Sequence, residues 1–397
     1  MKLIRRPAYD LSLRPFLVIW ETTQACDLAC KHCRAKAQPN HDPNMLSLEE
    51  GKRLIDQIYD FGKPHPLFIL TGGDPFKRDD IFDLTGYAAE KGLPVALSPS
   101  GTPLLNKENL TKLRERGCKV ISLSLDGSTS QIHDSFRGVD GSFGWTVNGL
   151  KTAQELGLKV QINTTITRYN LFDLPDMFAL VNKLGALTWS LFFLVPTGRG
   201  LVEDEIKPDD YEAVLNFLYD ASKYVRLKTT EGHHYKRVVL QRSYLERNNL
   251  PFEKYFNLNA TYTKLREGLD KYIQQMTPTI SVPDHIRRAP MHVNAGDGYV
   301  FVSLLGEVFP SGYLPVSAGN IRQKPLMEIY QDSDLFQAMR DKDALKGRCG
   351  RCEYRYVCGG SRSRAYAMTG DYLAEEPFCS YEPGSFPFPE ALLERVE

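Results

Sequence analysis

The chain has 397 residues, 42% of them hydrophobic, and its 49 Lys and Arg are balanced by 49 Asp and Glu for a formal net charge of +0. That length can bury a large core and points to more than one domain, while the lack of basic excess disfavours nucleic acid as the main partner. No apolar run reaches the length of a membrane span and no repeat or low-complexity tract appears, so a soluble, cytoplasmic enzyme is expected, with no membrane partner.

Taken in order, residues 1–15 are a basic, proline-containing lead-in, and the apolar run FLVIW at 16–20 reads as a buried parallel strand. Ser47 and Glu50 have the spacing of a capping box, opening a helix to about residue 59. Strand patterns at 67–70, 94–98, 119–125, 159–166 and 187–195 alternate with helical ones at 79–91, 106–116, 142–156 and 170–184. Six β/α units in succession predict a parallel sheet with helices outside it. After Arg199 the alternation stops. Residues 201–290 are a mixed segment rich in charge and tyrosine, expected to bridge the units 1–200 and 291–397. In the last unit, 299–302 and 307–309 read as a β-hairpin around Leu305 and Gly306.

The first strand runs into WETTQACDLACKHCRAKA, which sets Cys26, Cys30 and Cys33 above the end of the sheet. A disulfide is the weakest reading, because no secretory leader is recognisable and cytosolic thiols stay reduced. Zinc wants a closed set of four ligands, yet Cys118 lies far along the chain and His32 is wedged beside Cys33. An iron-sulfur cubane takes three thiolates readily and leaves one iron open. CDLACKHC resembles the C-x3-C-x2-C signature of the radical S-adenosylmethionine (radical SAM) superfamily. That resemblance implies a partial TIM-type barrel and a 4Fe-4S cluster on the three cysteines. It further implies that S-adenosyl-L-methionine is bound at the open iron and cleaved to a 5'-deoxyadenosyl radical, which abstracts hydrogen from a substrate. A flavodoxin or ferredoxin would supply the electron. His32 stands where the family more often has an aromatic residue.

In barrels of this type the chemistry lies at the carboxyl ends of the strands. Gly72, Gly73 and Asp74 follow the second strand, where glycines permit a backbone approach that side chains would block. They resemble the family's GGE-type motif, which receives the ammonium of the methionine moiety. Ser98 and Ser100 end the third strand, and Ser124 and Asp126 the fourth. Short hydroxyls and a carboxylate there suit ribose hydroxyls or a carboxylate, or else serve as caps and turns. Arg137, in HDSFRG, stands where the family pairs an arginine with the cofactor's carboxylate. Asn163, Thr164 and Pro196 resemble positions that contact the adenosine.

Near the C-terminus Cys349, Cys352, Cys358 and Cys379 are separated by two, five and twenty residues. A closed four-cysteine set suits zinc, but the spacing resembles one half of the SPASM domain of many radical SAM enzymes, which implies a second, auxiliary 4Fe-4S cluster. A full domain of that kind carries a further cluster. Ser311 and Arg362 stand at two of its ligand positions here, so that cluster is expected to be absent. Cys118 reads as a buried small hydrophobe. Within the superfamily the chain looks closest to the branch that trims tetrapyrrole side chains in haem and haem d1 routes, with peptide-maturing enzymes sharing the architecture. An iron-sulfur carrier without catalysis, or a zinc module, would leave GGDP, SLDG and HDSFRG without a purpose. His233, His234 and Tyr235 are expected at the barrel mouth to meet the substrate, with Lys228, Arg237, Arg287 and Arg288 available for propionates.

Overall fold

The computed structural model describes residues 3–275 and 289–393. The expected alternation is present: β1 (Leu17–Glu21), α1 (Leu48–Tyr59), β2 (Leu67–Thr71), α2 (Ile81–Glu90), β3 (Val95–Leu97), α3 (Lys107–Glu115), β4 (Val120–Ser124), α4 (Ser130–Arg137), α5 (Ser142–Glu155), β5 (Lys159–Ile166), α6 (Leu174–Lys183) and β6 (Thr188–Phe193). These six strands pair in parallel in sequence order. The capping box forms as spaced: Ser47 Oγ accepts from the Glu50 amide at 3.3 Å and the Glu50 carboxylate from the Ser47 amide at 2.8 Å.

The sheet continues beyond six strands. α7 (Pro208–Ala221) leads to β7 (Leu227–Thr230), which pairs in parallel with β6. The stretch after Arg199, expected as a bridge, therefore extends the barrel as far as residue 275, adding α8 (Tyr235–Arg247) and α9 (Ala260–Gln275) as further cover. At the other edge β8 (Tyr299–Val302) lies parallel to β1, and it begins an antiparallel run with β9 (Glu307–Phe309) and β10 (Gly319–Asn320). The predicted hairpin exists, but its first strand is also hydrogen-bonded to the strand that carries the first cysteine loop. The result is one ten-stranded sheet in the order β10-β9-β8-β1-β2-β3-β4-β5-β6-β7. Then come α10 (Leu326–Asp332), α11 (Asp334–Arg340), α12 (Gly347–Arg351) and α13 (Arg362–Thr369).

Strand alternation divides the molecule into two compartments. Val18, Trp20, Phe68, Leu70, Ile121, Leu123, Ile162 and Trp189 point toward the helices and form the main core. Leu17, Ile19, Ile69, Ser122, Gln161 and Asn163 face inward and line a cavity. Cys118 is buried with its thiol pushed up to about 11 by burial, as a small apolar filler would be. Among the described residues no helix is long and apolar enough to cross a membrane.

Candidate active site in two cysteine-lined cavities

The loop after β1 is held by the loop after β2. The Gly73 amide donates to Thr23 O and the Asp74 amide to Ala25 O, both at 2.7 Å. A Cβ on Gly72 would lie 2.4 Å from Thr23 O, and one on Gly73 2.4 Å from Ala25 O. The glycines are thus required first for backbone to lie against backbone, which fixes the Cys26 segment. Asp74 is fully buried, and its carboxylate accepts from the Phe76 amide at 3.2 Å, the Ser100 amide at 3.4 Å and Thr102 Oγ1 at 2.7 Å. Its side chain organises the turn and raises none of its oxygens into the cavity lining; burial raises its pKa. Ser100 Oγ donates to Gly73 O at 2.7 Å and lies 3.5 Å from Cys26 Sγ.

The three sulfurs are free thiols that already accept N–H hydrogen bonds. Leu28 N reaches Cys26 Sγ at 3.4 Å, Ala37 N reaches Cys33 Sγ at 3.4 Å, and Arg137 Nη1 reaches Cys30 Sγ at 3.5 Å. Such bonds are the ones that tune cluster sulfurs, and burial raises the Cys26 thiol so that its charged form needs a cationic partner. Among the described residues no three His, Cys, Asp or Glu side chains converge on a point fit for one metal ion. Three free thiols on one loop, with N–H groups directed at their sulfurs, are a donor set suited to an iron-sulfur cluster.

Arg137 is buried at the end of α4, its Nη2 paired with Asp126, whose other oxygen accepts from the Thr165 amide at 2.7 Å. Burial works against the guanidinium's charge, but Asp126 and Cys30 outweigh it and hold the pKa above its ordinary value. His133 Nδ1 accepts from the Asp126 amide at 3.0 Å, and burial followed by Arg137 brings its pKa down to about 4, so this imidazole is neutral. His32 stacks on Phe136 with centroids 4.4 Å apart, filling the aromatic position of the signature.

Cys26, Cys30, Cys33, Gly72, Gly73, Ser98, Ser100, Ser124, Arg137 and Asn163 all line one cavity of about 300 Å³. Asp74, Asp126, Thr164 and Pro196 do not. Thr164 is turned to the opposite face of β5, where its Oγ1 donates to Leu125 O at 2.7 Å and accepts from Trp189 Nε1 at 2.9 Å. Adjacent strand residues cannot share a face. The same alternation could have indicated Gln161 and Thr165, which line the cavity with Asn163. Tyr299 and Tyr313 line it too, and nothing local marks them, because Tyr299 arrives with β8 and Tyr313 with the loop between β9 and β10, both distant in sequence from the cysteine loop.

Cys349, Cys352, Cys358 and Cys379 line a second, smaller cavity together with His234, Arg237, Tyr354 and Glu376. Burial pushes Cys352, Cys358 and Cys379 up to about 12. Here also N–H groups address the sulfurs: Glu376 N to Cys349 at 3.3 Å, Gly360 N to Cys358 at 3.4 Å and Arg362 Nη2 to Cys349 at 3.6 Å. Arg362 also donates to Tyr372 O and Ala374 O. Ser311 donates to the buried carboxylate of Glu231 at 3.1 Å, as do Ser363 at 3.0 Å and Ser361. Glu231 takes a left-handed φ of 56° directly after β7, so this serine cradle bolts the barrel to the C-terminal module.

The expectation for His233, His234 and Tyr235 needs correction. None lines the barrel cavity. His234 is buried beside the four cysteines, with Nε2 3.9 Å from Glu376 Oε2, and burial brings its pKa down to about 4. Tyr235 is buried in the core as the first residue of α8. α8 begins at Tyr235, directly after the short loop from β7 that holds His233 and His234. Lys228 does line the barrel cavity, whereas Arg237 pairs with Glu212 at 2.6 Å. Arg287 and Arg288 lie outside the described residues.

A parallel partial barrel with three thiols at its carboxyl end, joined to a four-thiol module, defines a class. The Radical SAM superfamily pattern matches residues 20–181, and that of SPASM, an iron-sulfur cluster-binding domain, matches residues 294–353. The chain belongs to the radical SAM superfamily, and it is an enzyme whose cofactors are a 4Fe-4S cluster with S-adenosylmethionine and an auxiliary iron-sulfur cluster. It is 40% identical over 373 residues to the AdoMet-dependent heme synthase of Methanosarcina barkeri, covering 93% of this chain and 97% of that one. With the Fe-coproporphyrin III synthase of the same organism it shares 31% identity, over 91% of this chain and 87% of the relative. Streptococcus suis SuiB bound to S-adenosylmethionine has the same fold, with a TM-score of 0.62 at 16% identity over 93% of this chain and 78% of SuiB.

Proposed function

We propose that this enzyme reductively cleaves S-adenosylmethionine and uses the resulting 5'-deoxyadenosyl radical to abstract hydrogen from a tetrapyrrole side chain, leading to decarboxylation or trimming. The observation that carries this reading is the 40% identity, over nearly the whole of both chains, with a protein named AdoMet-dependent heme synthase. When bound at Cys26, Cys30 and Cys33, the cluster supplies a low-potential electron and an open iron for the methionine moiety. The chain's own residues then do the positioning. Gly72 and Gly73 offer backbone beside the thiols, while Ser98, Ser124 and Asn163 present short polar groups along the strand ends. Arg137, locked by Asp126, holds a fixed positive charge against Cys30. Tyr299 and Phe301 of β8, on the β1 side of the sheet, and Tyr313 add aromatic bulk to the cavity wall.

A flavodoxin or ferredoxin is the reductant in this reading, and Cys349, Cys352, Cys358 and Cys379 hold the auxiliary cluster. The test uses anaerobically reconstituted protein with a chemical reductant and S-adenosylmethionine. Iron coproporphyrin III deuterated on its propionate side chains should pass deuterium into 5'-deoxyadenosine and lose carboxyl mass. Deuterium-free 5'-deoxyadenosine and unchanged porphyrin, across haem, coproporphyrin and sirohaem derivatives, would sink the tetrapyrrole reading and favour a peptide substrate.

A further inference from the structure

The cations around the barrel cavity are not equivalent. Arg34 is paired with Glu21 at 2.6 Å and lies over Phe301 at 4.4 Å. Arg137 is paired with Asp126. Arg199 differs. Its amide donates to Cys33 O at 2.9 Å, and a Cβ on Gly198 would sit 2.3 Å from the same oxygen, so backbone contacts fix this loop against the cysteine loop. From there its side chain lines the cavity, with Nη1 reaching Ala37 O at 3.3 Å. Nε and Nη2 are buried and have no hydrogen-bond partner, and Arg199 has no ion pair among the described residues.

Those two nitrogens form one edge of the guanidinium, and their parallel N–H groups match the two oxygens of a carboxylate. A buried donor without a partner is costly, and a charged one more so, which means the edge is set for an anion that arrives with a ligand. We propose that the Nε/Nη2 edge of Arg199 is the carboxylate dock of the barrel cavity and fixes the ligand's register against the three cysteines. Two carboxylates can reach it: a propionate of the substrate, or the methionine carboxylate of S-adenosylmethionine. The first source rests on the tetrapyrrole reading above; the second does not.

Full-length protein carrying both clusters is titrated with iron coproporphyrin III, read at the Soret band, and with labelled S-adenosylmethionine, read by equilibrium dialysis. Arg199→Gln should weaken one of the two by roughly 30-fold or more, the scale of losing one partner of a buried charged pair. A loss confined to the porphyrin, with its tetramethyl ester bound equally by wild type and variant, assigns the edge to the substrate. A loss confined to S-adenosylmethionine assigns it to the cofactor. Equal affinities for both ligands in wild type and Arg199→Gln overturn the inference. If the porphyrin shifts no band in the wild type, the tetrapyrrole reading fails by itself and the dialysis alone decides the role of Arg199. Should Arg199→Gln lose its iron, Arg199→Lys, which keeps the charge without the two-pronged edge, reads the same two affinities.

Discussion

The two cysteine sites are built from the same materials and differ in closure. At the barrel, three thiols face a cavity of about 300 Å³ whose other walls include glycines, serines, cationic side chains such as Arg137 and Arg199, and the rings of Tyr299 and Tyr313. In the C-terminal module four thiols face a smaller space walled by Arg237, Tyr354, Glu376 and Tyr381. Each site also has a buried arginine held by a carboxylate, Arg137 by Asp126 and Arg237 by Glu212. On the proposed ligand sets, cysteine count would set the division of labour: three leave a coordination position for a reactant, and four close the cluster off for electron transfer or structure.

The sharpest way to break this comparison is to remove one thiol from each site. Cys30→Ala should bring 5'-deoxyadenosine formation down to the enzyme-free background and remove roughly half of the iron, if each site holds one cluster. Cys352→Ala should retain cleavage of S-adenosylmethionine while losing turnover of the substrate; the reverse pattern would invert the assignment. The buried pairs refine it. Asp126→Asn and Glu212→Gln each strand a buried guanidinium and should lower stability by about 3–5 kcal/mol in urea unfolding. Only Asp126→Asn should also slow cleavage, because Arg137 touches Cys30 and Arg237 does not. The smallest effect separates two adjacent residues. Thr164→Val leaves the indole N–H of Trp189 without its acceptor and should cost about 1–3 kcal/mol with S-adenosylmethionine affinity unchanged. Asn163→Ala should weaken that affinity, measured by equilibrium dialysis, and leave the unfolding midpoint in place.

Most of the barrel was legible because its signals are local. Apolar runs, the Ser47 capping box and the cysteine and glycine loops are each written within a few residues, and ten of the cofactor-site positions meet at one cavity. Thr164 went astray although the sequence held the answer, since period two places Asn163 and Thr164 on opposite faces. His233, His234 and Tyr235 were misplaced for another reason. Nothing in KTTEGHHYKR says that a helix starts at Tyr235, with Tyr235 in the core and His234 beside the other cysteine site. β7, the docking of β8 on β1, and the convergence of Ser311, Ser361 and Ser363 on Glu231 depend on contacts between distant parts of the chain, which composition and spacing do not encode.

The pairing of β8 with β1 bears on how the protein is made. β1 is synthesised before β2 to β7, and one of its edges is matched by β8, which follows all of them in the chain. Until then an apolar strand edge, LVIWE, stands open beside reduced cysteines and is a template for pairing with other chains. Synthesis must therefore run past β8 before this edge is protected, so a chain truncated before Tyr299 would keep its three-cysteine loop but expose the strand that carries it to aggregation.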